Sequence, residues 1–199
     1  MKNGFEPMRI LTSDHVKGER RYLDTQKKYE LLRTVIFFAI SLSLYTAGYV
    51  TTKTRLNLLT VVAVLGCLPA CKSLVGMIMF FRFKSCSETA ADAIDDAKGG
   101  LAGLYDMVFT SYNVNFVVDH LVFAGGSLNG YSEKPDFPEK EFQKHIGDIL
   151  KAENFKNINV KIFTDLNKYT ERLHQLQNLE NGDVEIPLQI LEVLKSVAL

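Results

Sequence analysis

The chain has 199 residues with 23 basic and 23 acidic side chains, and its mean hydropathy is close to zero. These averages hide a division: residues 1–84 carry 13 Lys/Arg and 5 Asp/Glu, whereas residues 85–199 carry 10 and 18. The acidic half argues against a general nucleic-acid-binding domain, which needs clustered basic residues, and three cysteines argue against a disulfide framework.

The first predicted element is a basic N-terminal helix, with Ser13 or Asp14 as its N-cap, within a cytoplasmic segment of residues 1–33. The segment is too long and too polar to open a cleavable signal peptide. Its basic residues are typical of the positive flank of a membrane span, and a specific anionic-lipid site is the alternative. Six of them lie within 17 residues before the first apolar run: Lys17, Arg20, Arg21, Lys27, Lys28 and Arg33.

Two apolar runs follow and predict a transmembrane hairpin over residues 34–84. Residues 34–52 are 19 uncharged positions, nearly enough to cross a hydrocarbon core of about 30 Å as a helix. A short loop carries Lys53 and Arg55, and residues 56–81 form a second apolar run that only Lys72 interrupts.

Lys72, with Pro69 three residues before it, leaves two geometries open. In the favoured geometry the second span covers residues 56–71, Lys72 marks the cytoplasmic interface, and residues 73–84 form an interfacial helix. In the other geometry one helix runs over about residues 57–81, with a kink at Pro69 and an intramembrane Lys72, which is costly unless the side chain snorkels.

The distribution of charge predicts an orientation. Six basic residues lie within 17 residues before the first span and two lie in the loop, so both termini are expected in the cytoplasm of a multi-pass protein of the plasma (inner) membrane. The side chains expected at the membrane interface are Lys27, Lys28, Arg33, Lys72, Arg82 and Lys84.

Residues 85–199 predict a small cytoplasmic α/β domain. A helix over 88–102 precedes strands over 107–112 and 115–123, and the glycines in 124–130 predict a turn. Further elements are an amphipathic helix over 138–153, a strand over 159–164, a helix capped by Asp165 and a last helix opened by Pro187. The order α-β-β-(β)-α-β-α-α indicates a layered sheet large enough for its own core.

Residues 118–134 read VDHLVFAGGSLNGYSEK. This stretch resembles the core of nuclease-related domains in the PD-(D/E)xK superfamily, where an apolar-Asp-His strand and a glycine turn precede a strand ending in Glu-x-Lys. The resemblance covers residues 88–165. It implies an α-β-β-β-α-β fold, with Asp119 as the metal-binding acid and Lys134 as the catalytic lysine. If the resemblance is accidental, the alternative is that Asp119 and His120 lie on the polar face of an edge strand.

This sequence departs from the family pattern at one position. Ser132 stands where the family has its second acidic ligand, and strand alternation directs the neighbouring Glu133 to the opposite face of the sheet. Divalent cations need several oxygen ligands, so even a true relative is expected to be inactive, and a divalent metal is implied as cofactor only by this resemblance.

No complete catalytic motif is present, so whether the chain is an enzyme stays open and a non-catalytic role is favoured. We expect an integral membrane scaffold, regulator or assembly partner that contacts the lipid bilayer and a protein partner or further copies of itself. The first alternative is a membrane-anchored, degenerate nuclease-like domain. The second is a pore formed by homo-oligomerisation, for which the polar lining residues are few: Ser41, Ser43, Thr46 and Lys72.

Overall fold

The computed structural model describes residues 17–53, 58–112, 114–155, 157–178 and 185–199. Within these ranges, residues 23–84 form one compact unit, here called the helical unit. Residues 17–22 together with the described residues of 85–199 form the second, here called the α/β unit.

The helical unit consists of two long helices, as the apolar runs predict. Helix α1 spans Tyr22–Thr52 and helix α2 spans Leu58–Phe81. Both are long and apolar enough to cross a membrane. They approach closely at Gly66, where an added Cβ would lie 2.9 Å from Oγ of Ser41 on α1. Small side chains of this kind allow the close helix contacts that membrane helices use.

The start of α1 differs from the prediction. The helix begins at Tyr22, and the proposed caps Ser13 and Asp14 lie outside the described residues. Gly18 and Arg21 have φ angles of 86° and 63°, in the left-handed region that a right-handed helix cannot contain. Residues 17–21 therefore form turns that precede the helix.

The second helix also differs from the favoured geometry. Helix α2 continues through Pro69 and Lys72 to Phe81, so no separate interfacial helix begins at residue 73, and the alternative single helix is found. A proline removes one backbone hydrogen bond, but apolar helices tolerate it when neighbouring groups compensate for the loss.

The α/β unit has the element order that the sequence predicts, with the optional third strand present. Strands β1, β2 and β3 are consecutive and antiparallel, and β4 is parallel to β3, in the sheet order β1-β2-β3-β4. The elements are α3 (Glu88–Lys98), β1 (Gly103–Thr110), β2 (Asn115–Ala124), β3 (Ser127–Tyr131), α4 (Glu139–Ala152), β4 (Asn159–Phe163), α5 (Leu166–Gln177) and α6 (Glu185–Val197).

Helices cover both faces of this sheet. One face packs with α4 and α6 in a core that includes Leu121, Phe142 and Leu194. The other face packs with α3 and α5 in a core that includes Ile94 and Tyr169. The unit is therefore a three-layer α/β/α arrangement with a core on each side of the sheet.

The turn between β2 and β3 is shorter than predicted. Only Gly125 and Gly126 connect the strands, with φ angles of 56° and 70°, and Ser127 already pairs with Ala124. Two consecutive residues with positive φ match a type I′ hairpin turn, which glycine adopts without a steric penalty. The third glycine of the predicted turn, Gly130, lies inside β3.

Candidate functional site

Two buried aspartates lie opposite each other on neighbouring strands. Asp106 on β1 is flanked by the pair Tyr105–His120 and the pair Met107–Val118, a register that places it across from Asp119 on β2. The exposed fractions are 2% for Asp106 and 4% for Asp119. Because β2 lies between β1 and β3, the alternative that Asp119 occupies the polar face of an edge strand is wrong.

Both strands lose their regular alternation at these aspartates. In a regular strand, residues on one face are an even number of positions apart. On β2, Val118 and Leu121 are three positions apart but lie in the same core. On β1, Leu104 and Met107 are also three positions apart and lie in that core. Asp106 has a φ of 53°, a left-handed conformation that Asp adopts more readily than most residues. This irregularity redirects side chains without changing the register of the two strands, so strand alternation does not give the direction of residues near Asp119.

The two carboxylates bind backbone groups of other segments. The backbone N–H of Cys86, just before α3, donates to Oδ1 of Asp106 at 2.9 Å. The backbone N–H of Glu133, just after β3, donates to Oδ2 of Asp119 at 2.7 Å. The Glu133 carboxylate in turn accepts from the backbone N–H of Ser87 at 3.1 Å. These bonds connect β1, β2, the start of α3 and the end of β3 in one corner, here called the Asp119 corner.

Ser132 occupies this corner with its hydroxyl already engaged. Its Oγ donates to the carbonyl oxygen of Val117 at 2.8 Å, and its side chain is fully buried. The backbone N–H of Lys134 contacts the same Oγ at 3.4 Å, and the positive charge of Lys134 acts on Asp119. The structure therefore brings together the three residues that the resemblance singles out, Asp119, Ser132 and Lys134.

Glu133 contributes to this corner through its backbone and its charge. It lies two residues beyond the end of β3, its N–H binds Asp119, and its negative charge raises the pKa of Asp119. The side-chain direction that strand alternation predicts for Glu133, opposite to that of Ser132, stays a prediction, because the bond to Asp119 is made by the backbone of Glu133.

Burial dominates the electrostatics of Asp119. It raises the pKa of this carboxyl to about 7, and the negative charges of Glu133 and Asp106 act in the same direction. The N–H donated by Glu133 and the charge of Lys134 act in the opposite direction. Burial also raises the pKa of the neighbouring Cys86 thiol to about 12, so this cysteine does not have the properties of an activated nucleophile.

His120, next to Asp119, is a core residue. Its Nδ1 lies 2.7 Å from the hydroxyl of Tyr169, its ring packs on Tyr105 with centroids 4.3 Å apart, and it is fully buried. Burial lowers its pKa to about 3, which keeps the imidazole neutral. It therefore contributes packing and one buried hydrogen bond.

The donors of the Asp119 corner do not fit the divalent metal that the resemblance implies. Asp119 already accepts a backbone hydrogen bond, Ser132 supplies a hydroxyl that binds Val117, and hard cations prefer several carboxylate or carbonyl oxygens. In the part of the chain that the structure describes, no group of three or more His, Cys, Asp or Glu side chains is arranged to hold a metal ion.

The predicted membrane-interface residues lie on or directly after the two long helices. On α1, Lys27 pairs with Asp24 at 2.9 Å and Arg33 pairs with Glu30, one helical turn away in each case. The remaining four are all exposed, with Arg82 and Lys84 just after the end of α2: Lys28, Lys72, Arg82 and Lys84.

The sequence interpretation missed a polar pocket between α5 and the strands β3 and β4. Its volume is about 470 Å³, and three of its lining residues are the cations Lys161, Lys168 and Arg172. The available signal was their spacing: Lys168 and Arg172 are four apart on one helix, within a half of the chain that is acidic overall.

Comparison with protein-family models, curated proteins and solved structures finds no match for this chain.

Proposed function

We propose that the chain is an integral membrane protein of the plasma membrane, anchored by α1 and α2, that presents the α/β unit in the cytoplasm as a non-catalytic scaffold or regulator. The exposed apolar surface of the two helices carries this proposal. In the most apolar 18-residue window of each helix only 17% of the residues are buried, and exposed side chains include Leu42, Val50, Leu58 and Leu68. Such surface is costly in water and favourable in lipid.

The path of the chain supports a hairpin. Residues 17–21 precede the helices and residues 85–199 follow them, and both segments belong to the α/β unit. The chain therefore leaves this unit and returns to it, which supports a hairpin whose two ends lie on the same side of a membrane. The excess of basic residues before α1 over the loop favours the cytoplasm as that side.

Lys72 fits this anchor if its side chain snorkels. At 1.5 Å per residue it lies about 21 Å from Leu58 and about 13 Å from Phe81 along the axis of α2. The long aliphatic stem can carry the ammonium towards the nearer interface, where Arg82 and Lys84 follow the helix.

Cysteine labelling tests the anchor and its orientation. In a variant whose three native cysteines are replaced by alanine, we expect a membrane-impermeant maleimide to label Thr52→Cys in intact cells. Ser196→Cys should react only after permeabilisation, and both proteins should stay in the membrane fraction after alkaline carbonate extraction. Extraction into the soluble fraction, or labelling of Ser196→Cys alone in intact cells, contradicts the proposal.

The Asp119 corner supports a structural role for the α/β unit. Both buried aspartates accept backbone N–H groups from other segments, which holds the start of α3 and the end of β3 against the sheet. Buried carboxylates used in this way stabilise a surface for a protein partner or for further copies of the chain rather than a reaction.

A degenerate nuclease-like core is the second candidate, and one observation favours it. The element order α3-β1-β2-β3-α4-β4 agrees with the order that the resemblance implies, and Asp119, Ser132 and Lys134 lie in one corner. In this interpretation the domain descends from an enzyme and has lost a metal ligand at Ser132.

Restoring the carboxylate tests the second candidate. We expect Ser132→Glu to bind Mn²⁺, measured by titration calorimetry on the full-length protein in detergent, if the corner is a decayed metal site. Ser132→Gln is the matched control, since it has the same shape without the charge. Thermal unfolding checks that both variants fold, and Ser132→Asp provides a smaller replacement. If the Ser132→Glu and Ser132→Asp variants fold but do not bind Mn²⁺, the nuclease-like candidate is ruled out and the scaffold proposal is kept.

A further inference from the structure

The floor of the pocket between α5 and the sheet is polar. Apolar residues would be expected there if this face of the sheet served only to pack against α5. Ser127 pairs with Asn159, and Asn129 pairs with Lys161, so these side chains share the face of the sheet that lies under α5. The opposite face of the same two strands is apolar and buried, with Leu128, Val160 and Ile162 in its core.

One wall of the pocket is a single stripe of α5. Lys168, Glu171, Arg172 and Gln175 recur at three- and four-residue intervals, which places them along one side of the helix. Together with Lys161, the pocket therefore has three basic side chains and one acidic side chain. This local excess of positive charge stands within a half of the chain that has 18 acidic and 10 basic residues.

The guanidinium of Arg172 is held in place by buried and helical partners. Its Nε donates to Oδ1 of Asn129 at 3.4 Å and its Nη1 donates to Oε1 of Gln175 at 3.3 Å. Asn129 is 1% exposed, and its amide nitrogen donates to both the carbonyl oxygen and the hydroxyl of Ser127. An arginine fixed through a buried amide loses little further freedom when it binds an anion.

Among the residues that the structure describes, two of the three cations have no acidic partner. In the described ranges, neither Lys161 nor Arg172 lies within 4 Å of a carboxylate oxygen, while Lys168 approaches Asp165 only at 3.9 Å. Lys161 instead stands over the ring of Phe163, with its Nζ 4.8 Å from the centroid. Unneutralised cations around a concave polar surface attract an anion.

We propose that this pocket binds a phosphate monoester, with Arg172 and Lys161 contacting the phosphate oxygens and the amides of Asn159 and Gln175 contacting polar groups of the remainder. The volume of about 470 Å³ is that of a small-molecule site. Arginine and lysine are the side chains that proteins use for phosphate, arginine through paired hydrogen bonds. Both a soluble sugar phosphate and the headgroup of a phosphoinositide present this chemistry.

Titration calorimetry on the full-length protein in detergent tests the proposal, with glycerol 3-phosphate and dioctanoyl phosphatidylinositol 4-phosphate as probes at constant ionic strength. We expect at least one probe to bind, and the tighter one identifies the source of the phosphate. Arg172→Gln and Lys161→Gln should each weaken binding about tenfold, and Glu171→Gln should strengthen it.

Lys140→Gln is the matched control, because it removes the same charge from an exposed position on α4, on the other face of the sheet. It should leave the affinity unchanged. Failure of both probes to bind the unmodified protein overturns the proposal, as does an equal loss in Lys140→Gln and Lys161→Gln. Lys161 is exposed on the edge strand β4, so its variant keeps the test valid if Arg172→Gln fails to fold.

Discussion

The protonation state of the buried Asp119 carboxyl is controlled by the groups around it. Its position beside Asp106 and Glu133, away from solvent, favours the protonated form, while the N–H of Glu133 and the charge of Lys134 favour the ionised form. The residue is therefore balanced between two protonation states near neutral pH. A group in this state makes the stability of the folded chain depend on pH.

The pH dependence of unfolding gives the first prediction at this scale. The pKa of Asp119 rises from 3.8 to about 7 on folding, so the folded state binds more protons than the unfolded state between these values. Its contribution to stability is fully present below about pH 4 and is lost as pH rises to about 7, with a slope of at most about 1.4 kcal/mol per pH unit.

We expect Asp119→Asn, which keeps an acceptor for the N–H of Glu133, to flatten this part of the profile. Urea unfolding of the α/β unit in the full-length protein between pH 4.5 and 7.5 measures the difference. Parallel profiles for the two proteins would show that Asp119 does not titrate in this range.

At the scale of elements, most of the α/β order follows from the sequence, because apolar periodicity and capping residues act locally. Asp165 caps α5 as predicted, accepting from the N–H of Asn167 at 3.0 Å. Strand β3 was harder to predict, because Asn129 and Gly130 favour turns and form a strand only through pairing with β2 and β4. The loss of alternation at Asp106 and Asp119 is likewise a property of two paired strands rather than of either segment.

Two glycines provide an element-scale prediction with an internal control. An added Cβ meets no atom within 4 Å at Gly126 or at Gly147, but only Gly126 has a positive φ, of 70°. We expect Gly126→Ala to destabilise the protein by about 1–2 kcal/mol, because alanine is strained in the left-handed region.

Gly147→Ala, in the middle of α4, should stabilise the protein by about 0.5–1 kcal/mol, because alanine favours the helix. Equilibrium unfolding of both variants measures the two changes. Effects of the same sign would contradict the assignment of the β2–β3 turn.

At the scale of the whole molecule, residues 17–21, which precede α1, belong to the α/β unit. The periodicity of the sequence did not indicate this attachment. The carbonyl oxygen of Gly18 accepts from the N–H of Tyr105 at 2.8 Å, extending the edge of β1. Arg20 pairs with Asp92 at 2.7 Å and with Asp95 at 3.3 Å on α3. The predicted boundary at residue 85 therefore omits a part of the unit that only tertiary contacts reveal.

Protease sensitivity tests this attachment. Gly18→Val introduces a side chain at a φ of 86°, where the Cβ would lie 2.5 Å from Cδ2 of Leu104, so the segment should detach from β1. We expect tryptic cleavage after Arg20 and Arg21 in the full-length protein to become roughly tenfold faster, since cleavage follows the population of the open form.

The control is Gly100→Val, where an added Cβ meets no atom within 4 Å, and its cleavage rate at Arg20 and Arg21 should match that of the unmodified chain. Equal rates in all three proteins would mean that the segment is not held by these contacts.

The discontinuity of the α/β unit has a consequence for the order of synthesis. The segment around Gly18 emerges from the ribosome first, and its partners on α3 and β1 follow only after both long helices, as the separation of 75 residues between Arg20 and Asp95 illustrates. The unit can be completed only after the helices between its two parts have been made. A finished α/β unit is therefore evidence that both intervening helices have already been synthesised, so its final surface becomes available only to partners that meet the chain after this point.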